Sequence, residues 1–291
     1  MDKIKWHHGL IAFLLFFIIS QALGPIIMLA YKAIDPTVDI LSFEFMFSKP
    51  GIAMMSIGMF IAFIVSPWLY WLLLKSKLKT KFLDLFEFEK PDGRMMFFSL
   101  LGMIAVGSLI ESFVLKLTEI FPSIKYGIFS FMQEMNFHEL LGDALKTDNF
   151  FVMLGMVLVV GILPGFGEEF FFRGFLQRIY LNRFNLFVSI LLSGGLFGLI
   201  HTIQEIGQAL SAFLISFYLG YVYYKTRMLW IPVACHMLNN GLFVIVLFFI
   251  PEFADLRGEP YPWYMNLIFL LVASYSILQI RNYKSQEAVI L

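Results

Sequence analysis

The 291-residue chain contains one cysteine, Cys235, and only 14 % of its residues are charged, against about 25 % in an ordinary soluble domain. A single thiol excludes an internal disulfide framework and any metal centre built on several cysteines. Lys and Arg number 21, and so do Asp and Glu. Without a basic excess, nothing in the composition suits a nucleic-acid partner. No Pro/Gly/Ser-rich linker, internal repeat or low-complexity tract divides the chain.

What fills the chain is apolar. Hydrophobic residues make up 59 %, Phe alone occurs 35 times, and the mean hydropathy is +0.80. A compact soluble domain cannot hide so much apolar side chain from water. An all-α fold follows: a polytopic membrane helix bundle with about eight transmembrane helices. A span needs about 20 apolar residues, and candidates fall at 9–31, 51–74, 95–115, 150–177, 185–202, 207–224, 228–250 and 261–280. The first span follows Lys3 and Lys5 as a signal peptide would, but its apolar run is too long and its cleavage site too poor.

Eight spans put both termini on one side. The loops of that side hold 15 of the 21 Lys and Arg, Arg173 being counted with the turn after span four, and the opposite loops hold 6. By the excess of basic residues on the inner face, both termini are cytoplasmic, with Lys75, Lys77, Lys79 and Lys81 as an inner-face anchor. The expected setting is the inner or plasma membrane. Three regions result: 1–148 with helices one to three and an outer loop, 149–250 with helices four to seven as the core, and 251–291 with helix eight and a tail. The polar stretch 116–149 faces outward and carries an amphipathic piece around 129–145, suited to a lid or an interfacial helix.

Ionisable groups inside a bilayer cost several kcal/mol and mark function by default. Glu111 lies near the outer end of its span, within reach of the interface. The others gather in the second half of the chain: Glu168, Glu169 and Arg173, then His201, then His236 with Asn240. Glu169 and Arg173 are four apart and pair along one helix face. Glu168 is turned from them by about 100° and has no local partner, so it points at another helix or at trapped water. The preceding run 161–167, with Pro164 and three glycines, is expected to break or kink the helix and leave backbone lining a cavity.

Depth brings the groups together. Residues 168 and 201 are equally far from the turn at 182–185, so in an antiparallel hairpin both stand about 25 Å above it at about 1.5 Å per residue. His236 lies about 13 Å above the inner end of its own span by the same rise. Gly194 and Gly198 have GxxxG spacing, which lets a neighbouring helix approach closely.

In this order and spacing Glu168-Glu169-Phe-Phe-Phe-Arg173 is EExxxR, Phe197-Gly-Leu-Ile-His201 is FxxxH, and His236-Met-Leu-Asn-Asn240 is HxxxN. The set resembles the CPBP family of CAAX-protease and bacteriocin-processing membrane proteins, which includes the eukaryotic Ras-converting endopeptidase and bacterial Abi-type proteins. The resemblance covers about a third of the chain, 150–247. It implies an intramembrane endopeptidase acting on a membrane-associated or lipidated peptide within the lipid bilayer. By that resemblance Glu168 activates the attacking water, His201 orients or deprotonates it, and His236 with Asn240 stabilises the oxyanion or binds a ligand. Glu169, Arg173 and Phe197 occupy the supporting motif positions.

The residues themselves suit such chemistry. Apolar surroundings make a carboxylate a better proton acceptor, and imidazole donors in a dry site stabilise developing negative charge. Glu168, His201 and His236 also form the donor set of a three-ligand zinc site with an open position. A metal-free and a metal-dependent mechanism both stay open on the residues alone.

Rival protease signatures are missing. The one His-Glu dipeptide, His138-Glu139, continues into Leu-Leu-Gly, so HExxH is absent. No GxSxG occurs, and Gly165-Phe-Gly-Glu168 stops short of a GxGD aspartyl motif. Two non-enzymatic readings share the same residues. One is a bacteriocin-immunity or partner-binding membrane protein on this scaffold. The other is a transporter or proton relay, against which the polar groups gather in one place and no inverted repeat is visible.

Overall fold

The computed structural model describes residues 5–78, 81–125, 137–202, 205–252 and 259–283. Eight long helices carry them, labelled here in chain order: α1 (His7–Ile34), α2 (Lys49–Leu78), α3 (Gly93–Ile120), α4 (Phe150–Leu181), α5 (Leu186–His201), α6 (Ile206–Thr226), α7 (Trp230–Phe249) and α8 (Trp263–Arg281). Short helices at Phe43–Met46 and Phe137–Leu145 lie between them, and no strand occurs among the described residues. In lipid every backbone N–H and C=O must be satisfied within the segment, which is why such apolar runs resolve into helices. The side chains of Lys75, Lys77 and Lys79 lie outside the described residues. So does 129–136 of the outward amphipathic piece.

Seven of the eight helices are long and apolar enough to cross a membrane. The fifth differs from expectation: α5 has 16 residues, about 24 Å at the helical rise, against a hydrocarbon core of about 30 Å. The chain is an integral, multi-pass helical membrane protein whose fifth helix stops short, and His201 is its last residue.

Helix starts are fixed by side chains written into the sequence. Asp92 accepts from Met95 N, Asn149 from Phe151 N and Val152 N, and Asn185 from Val188 N, each satisfying donors that a helix leaves open at its first turn. Between α6 and α7 the chain turns through Arg227, in the left-handed region at φ 56°.

Helices α1 and α2, α3 and α8, and α5 and α6 pack as pairs, while α4 and α7 lie between them. Half of the most apolar stretch of α6 is buried and 44 % of that of α7, against 17 % in α8. The middle helices are therefore enclosed by protein, and most of α8 faces outward. An aromatic core holds α4 against α1 and α2: Phe16 stacks on Phe63 at 4.4 Å and leans on Phe171 at 5.1 Å. On another side of α4, Phe86 of the α2–α3 connection stacks on Phe170 at 3.9 Å. Below it, the buried Arg178 donates to Leu85 O and lies 3.6 Å from the Glu87 carboxylate. Glu87 O accepts from Leu229 N, so this connection braces α4 against the start of α7.

Helix α4 is where sequence and structure part. The run 161–167 does not open the helix. Two π-turns, Val157–Ile162 and Phe172–Gln177, flank a regular stretch at Leu163–Phe171. Pro164 sits in the first turn of that stretch, where the wider turn before it absorbs the missing N–H. Nor do the glycines line a cavity; they let helices touch. A Cβ on Gly161 would come within 2.8 Å of Gly241 Cα, and one on Gly165 within 2.8 Å of Met237 N. Backbone thus meets backbone where α4 crosses α7. On α5, Gly194 and Gly198 do the same against Ser216 and Ala209 O of α6.

Candidate active site

The regular stretch of α4 between its π-turns carries Glu168 and Glu169, and the following π-turn carries Arg173. Glu169 and Arg173 are fully buried, at 0 % and 1 % exposure. Arg173 Nη1 donates to Glu169 Oε1 at 2.7 Å, so the expected i, i+4 pair is formed. Two such charges in an apolar bundle survive only when paired.

The pair has a third member that spacing did not reveal. His236 of α7 donates through Nδ1 to the same Glu169 Oε1 at 2.8 Å. A carboxylate oxygen can only accept, so the proton of this bond sits on Nδ1, and Nε2 is the nitrogen turned toward Glu168. Glu168 Oε2 stands 3.4 Å from His236 Nε2. Glu168, which has no partner along its own helix, finds it across the α4–α7 contact.

His201 ends α5 and is held by its Nδ1, which donates to the Phe197 carbonyl at 2.8 Å. A carbonyl cannot donate, so here too Nε2 carries the lone pair in the neutral ring. Both histidines are therefore anchored by one nitrogen and leave the other for chemistry, an arrangement that fixes tautomer and ring orientation. The buried Phe197 ring joins them, edge to face with His201 at 4.8 Å and with His236 at 5.8 Å. The Arg173 guanidinium lies 5.0 Å from the centre of the same ring, a cation–π contact in a desolvated setting. Six of the expected residues thus form one cluster: Glu168, Glu169, Arg173, Phe197, His201 and His236.

Asn240 lies one turn beyond His236 on α7, half-buried, and its Oδ1 accepts from Asn239 Nδ2 at 3.2 Å. Glu111, outside the cluster, accepts from Tyr261 Oη at 3.3 Å and ties α3 to the start of α8. Among the described residues no three His, Cys, Asp or Glu side chains are disposed to hold a metal ion. Glu168, His201 and His236 therefore do not fit a three-ligand metal site in this arrangement. Glu168 faces His236 Nε2 directly, and His201 is joined to His236 through the Phe197 ring.

The fold and this buried acid–imidazole cluster define a polytopic helical membrane protein with an ionisable site inside its bundle. Residues 150–242, which contain the whole cluster, match the family model described as Rce1-like, type II CAAX prenyl endopeptidase Rce1-like. A curated relative, the "Putative membrane peptidase YdiL" of Bacillus subtilis (strain 168), is 26 % identical over 124 residues. That alignment covers 43 % of this chain and 48 % of the relative, so the chain spans about half of the curated protein it matches. No solved structure matches. Residues 150–242 are thus similar to Rce1-like CAAX prenyl endopeptidases.

Proposed function

We propose that the chain is an intramembrane endopeptidase that hydrolyses a peptide bond of a membrane-associated or lipidated protein, with Glu168 activating the water. One observation carries this reading: the Glu168 carboxylate faces the Nε2 of a histidine whose other nitrogen is locked by a buried Glu169–Arg173 pair. At 3.4 Å the facing pair is looser than a formed hydrogen bond, as catalytic pairs commonly are before substrate tightens them.

Glu168 takes a proton from water as the water oxygen adds to the scissile carbonyl carbon. The carbonyl electron pair moves to its oxygen, which the Asn240 amide and a doubly protonated His236, donating through Nε2, stabilise. His201 holds the second water hydrogen through Nε2. Collapse re-forms the carbonyl, breaks the C–N bond and returns the proton from Glu168 to the leaving nitrogen. Glu169, Arg173 and Phe197 do no chemistry; they keep both imidazoles in place. No step is routed through a metal.

The clustering of Lys and Arg in alternate loops supports cytoplasmic termini in the inner or plasma membrane. The test is a comparison of membrane-protein termini between the wild-type strain and one carrying Glu168→Gln. Loss of a defined set of new termini in the variant is the expected result. An identical set in both strains overturns the reading and favours an immunity or partner-binding role.

A further inference from the structure

Asn239 is three residues beyond His236 and Asn240 four, so the two asparagines flank the His236 side of α7 from either side. The Asn239 side chain turns toward its neighbour, and Asn239 Nδ2 donates to Asn240 Oδ1 at 3.2 Å. Its own Oδ1 is walled in from α3, where a Cβ on Gly107 would approach it to 2.9 Å. A side chain at 107 would push the carboxamide from this position. A carboxamide has an accepting and a donating end, and rotating it by a half turn exchanges them at little steric cost. An oxyanion tolerates only the donating end.

We propose that Asn239 is a positioning residue: by donating to Asn240 Oδ1 it fixes which way the Asn240 amide points and commits Nδ2 to the reacting carbonyl oxygen. Gly107 of α3 leaves the room in which Asn239 makes this bond. This assignment rests on the endopeptidase reading, since it sharpens the part given there to Asn240.

The experiment measures cleavage, by the full chain in proteoliposomes, of the membrane protein whose new terminus disappears in the Glu168→Gln strain. Asn239→Asp is nearly isosteric but offers only acceptors, so Asn240 turns its N–H groups toward residue 239 and its Oδ1 toward the substrate. The expected result is a fall in kcat approaching that of Asn240→Ala, roughly 100-fold, with KM unchanged. In the Asn240→Ala background Asn239→Asp adds nothing further, because two residues acting through one contact are not additive. Gly107→Ala, which crowds Asn239 from another helix, lowers kcat in the same direction.

Wild-type kcat in Asn239→Asp, a loss expressed in KM, or full additivity with Asn240→Ala overturns the role. If Asn239→Asp does not fold, Gly107→Ala decides alone, and an unchanged kcat there overturns it too. Should Glu168→Gln and Asn240→Ala stop turnover while Asn239→Asp does not, only the positioning role falls. Should Glu168→Gln cleave normally, both readings fall.

Discussion

Glu168 on α4 and His236 on α7 face each other across a helix contact in which backbone touches backbone, their Oε2 and Nε2 3.4 Å apart. The approach is set by glycines at the crossing, Gly161 against Gly241 and Gly165 against Met237 N. The polar site is thus a consequence of apolar packing: the helices must come this close before a carboxylate and an imidazole on different spans can meet.

The buried triad of Arg173, Glu169 and His236 behaves as a structural unit. Removing one partner of a buried ion pair costs about 3–5 kcal/mol, because the other charge is left desolvated and alone. Arg173→Ala is expected to destabilise by that order and to lose activity with it, seen as a lowered unfolding midpoint in detergent. A Glu169→Gln/Arg173→Met double variant is expected to unfold later than Arg173→Ala, since no lone charge remains. Equal midpoints would contradict the pairing.

The crossing glycines predict a distance effect. Gly161→Ala places a Cβ within 2.8 Å of Gly241 Cα, and backbone cannot yield as a side-chain tip does. Overpacking of this kind costs about 1–3 kcal/mol, and spreading the helices draws Glu168 away from His236. Cleavage is expected to fall more than stability. Gly155→Ala, six residues earlier on the same helix, meets nothing within 4 Å and is expected to keep wild-type rates. The paired rates and melting curves of the two variants check this.

Metal removal is expected to leave turnover unchanged, because no three-ligand group assembles among the described residues and Glu168 faces His236 Nε2 directly. Cleavage by purified protein before and after chelation, with zinc added back, measures this. Loss on chelation and recovery with zinc would contradict the side-chain mechanism.

Much of this was legible in the sequence because helical spacing and depth are simple arithmetic. The i, i+4 step gave the Glu169–Arg173 pair, and its absence left Glu168 pointing at another helix. Equal distance from the turn set only the depth expected of His201, which the structure joins to His236 through the Phe197 ring. Three features escaped. A π-turn adds residues to a turn without changing composition, so a proline and three glycines at 161–167 read as a break when they make a continuous helix that packs closely. The bond from His236 to Glu169 joins residues 67 apart in sequence, beyond any periodicity. The short length of α5 escaped because the expected span 185–202 ran one residue past each helix end, through the polar Asn185 and Thr202.

The central claim is that Glu168 activates the water, and the most direct measurement is single-turnover cleavage by wild-type and Glu168→Gln protein in proteoliposomes, with unfolding midpoints taken on the same preparations. Glutamine keeps the shape and cannot accept the proton. Cleavage reduced at least about 100-fold, the order general acid–base catalysis contributes, with an unchanged midpoint is the predicted result. Comparable cleavage by the two proteins would contradict it.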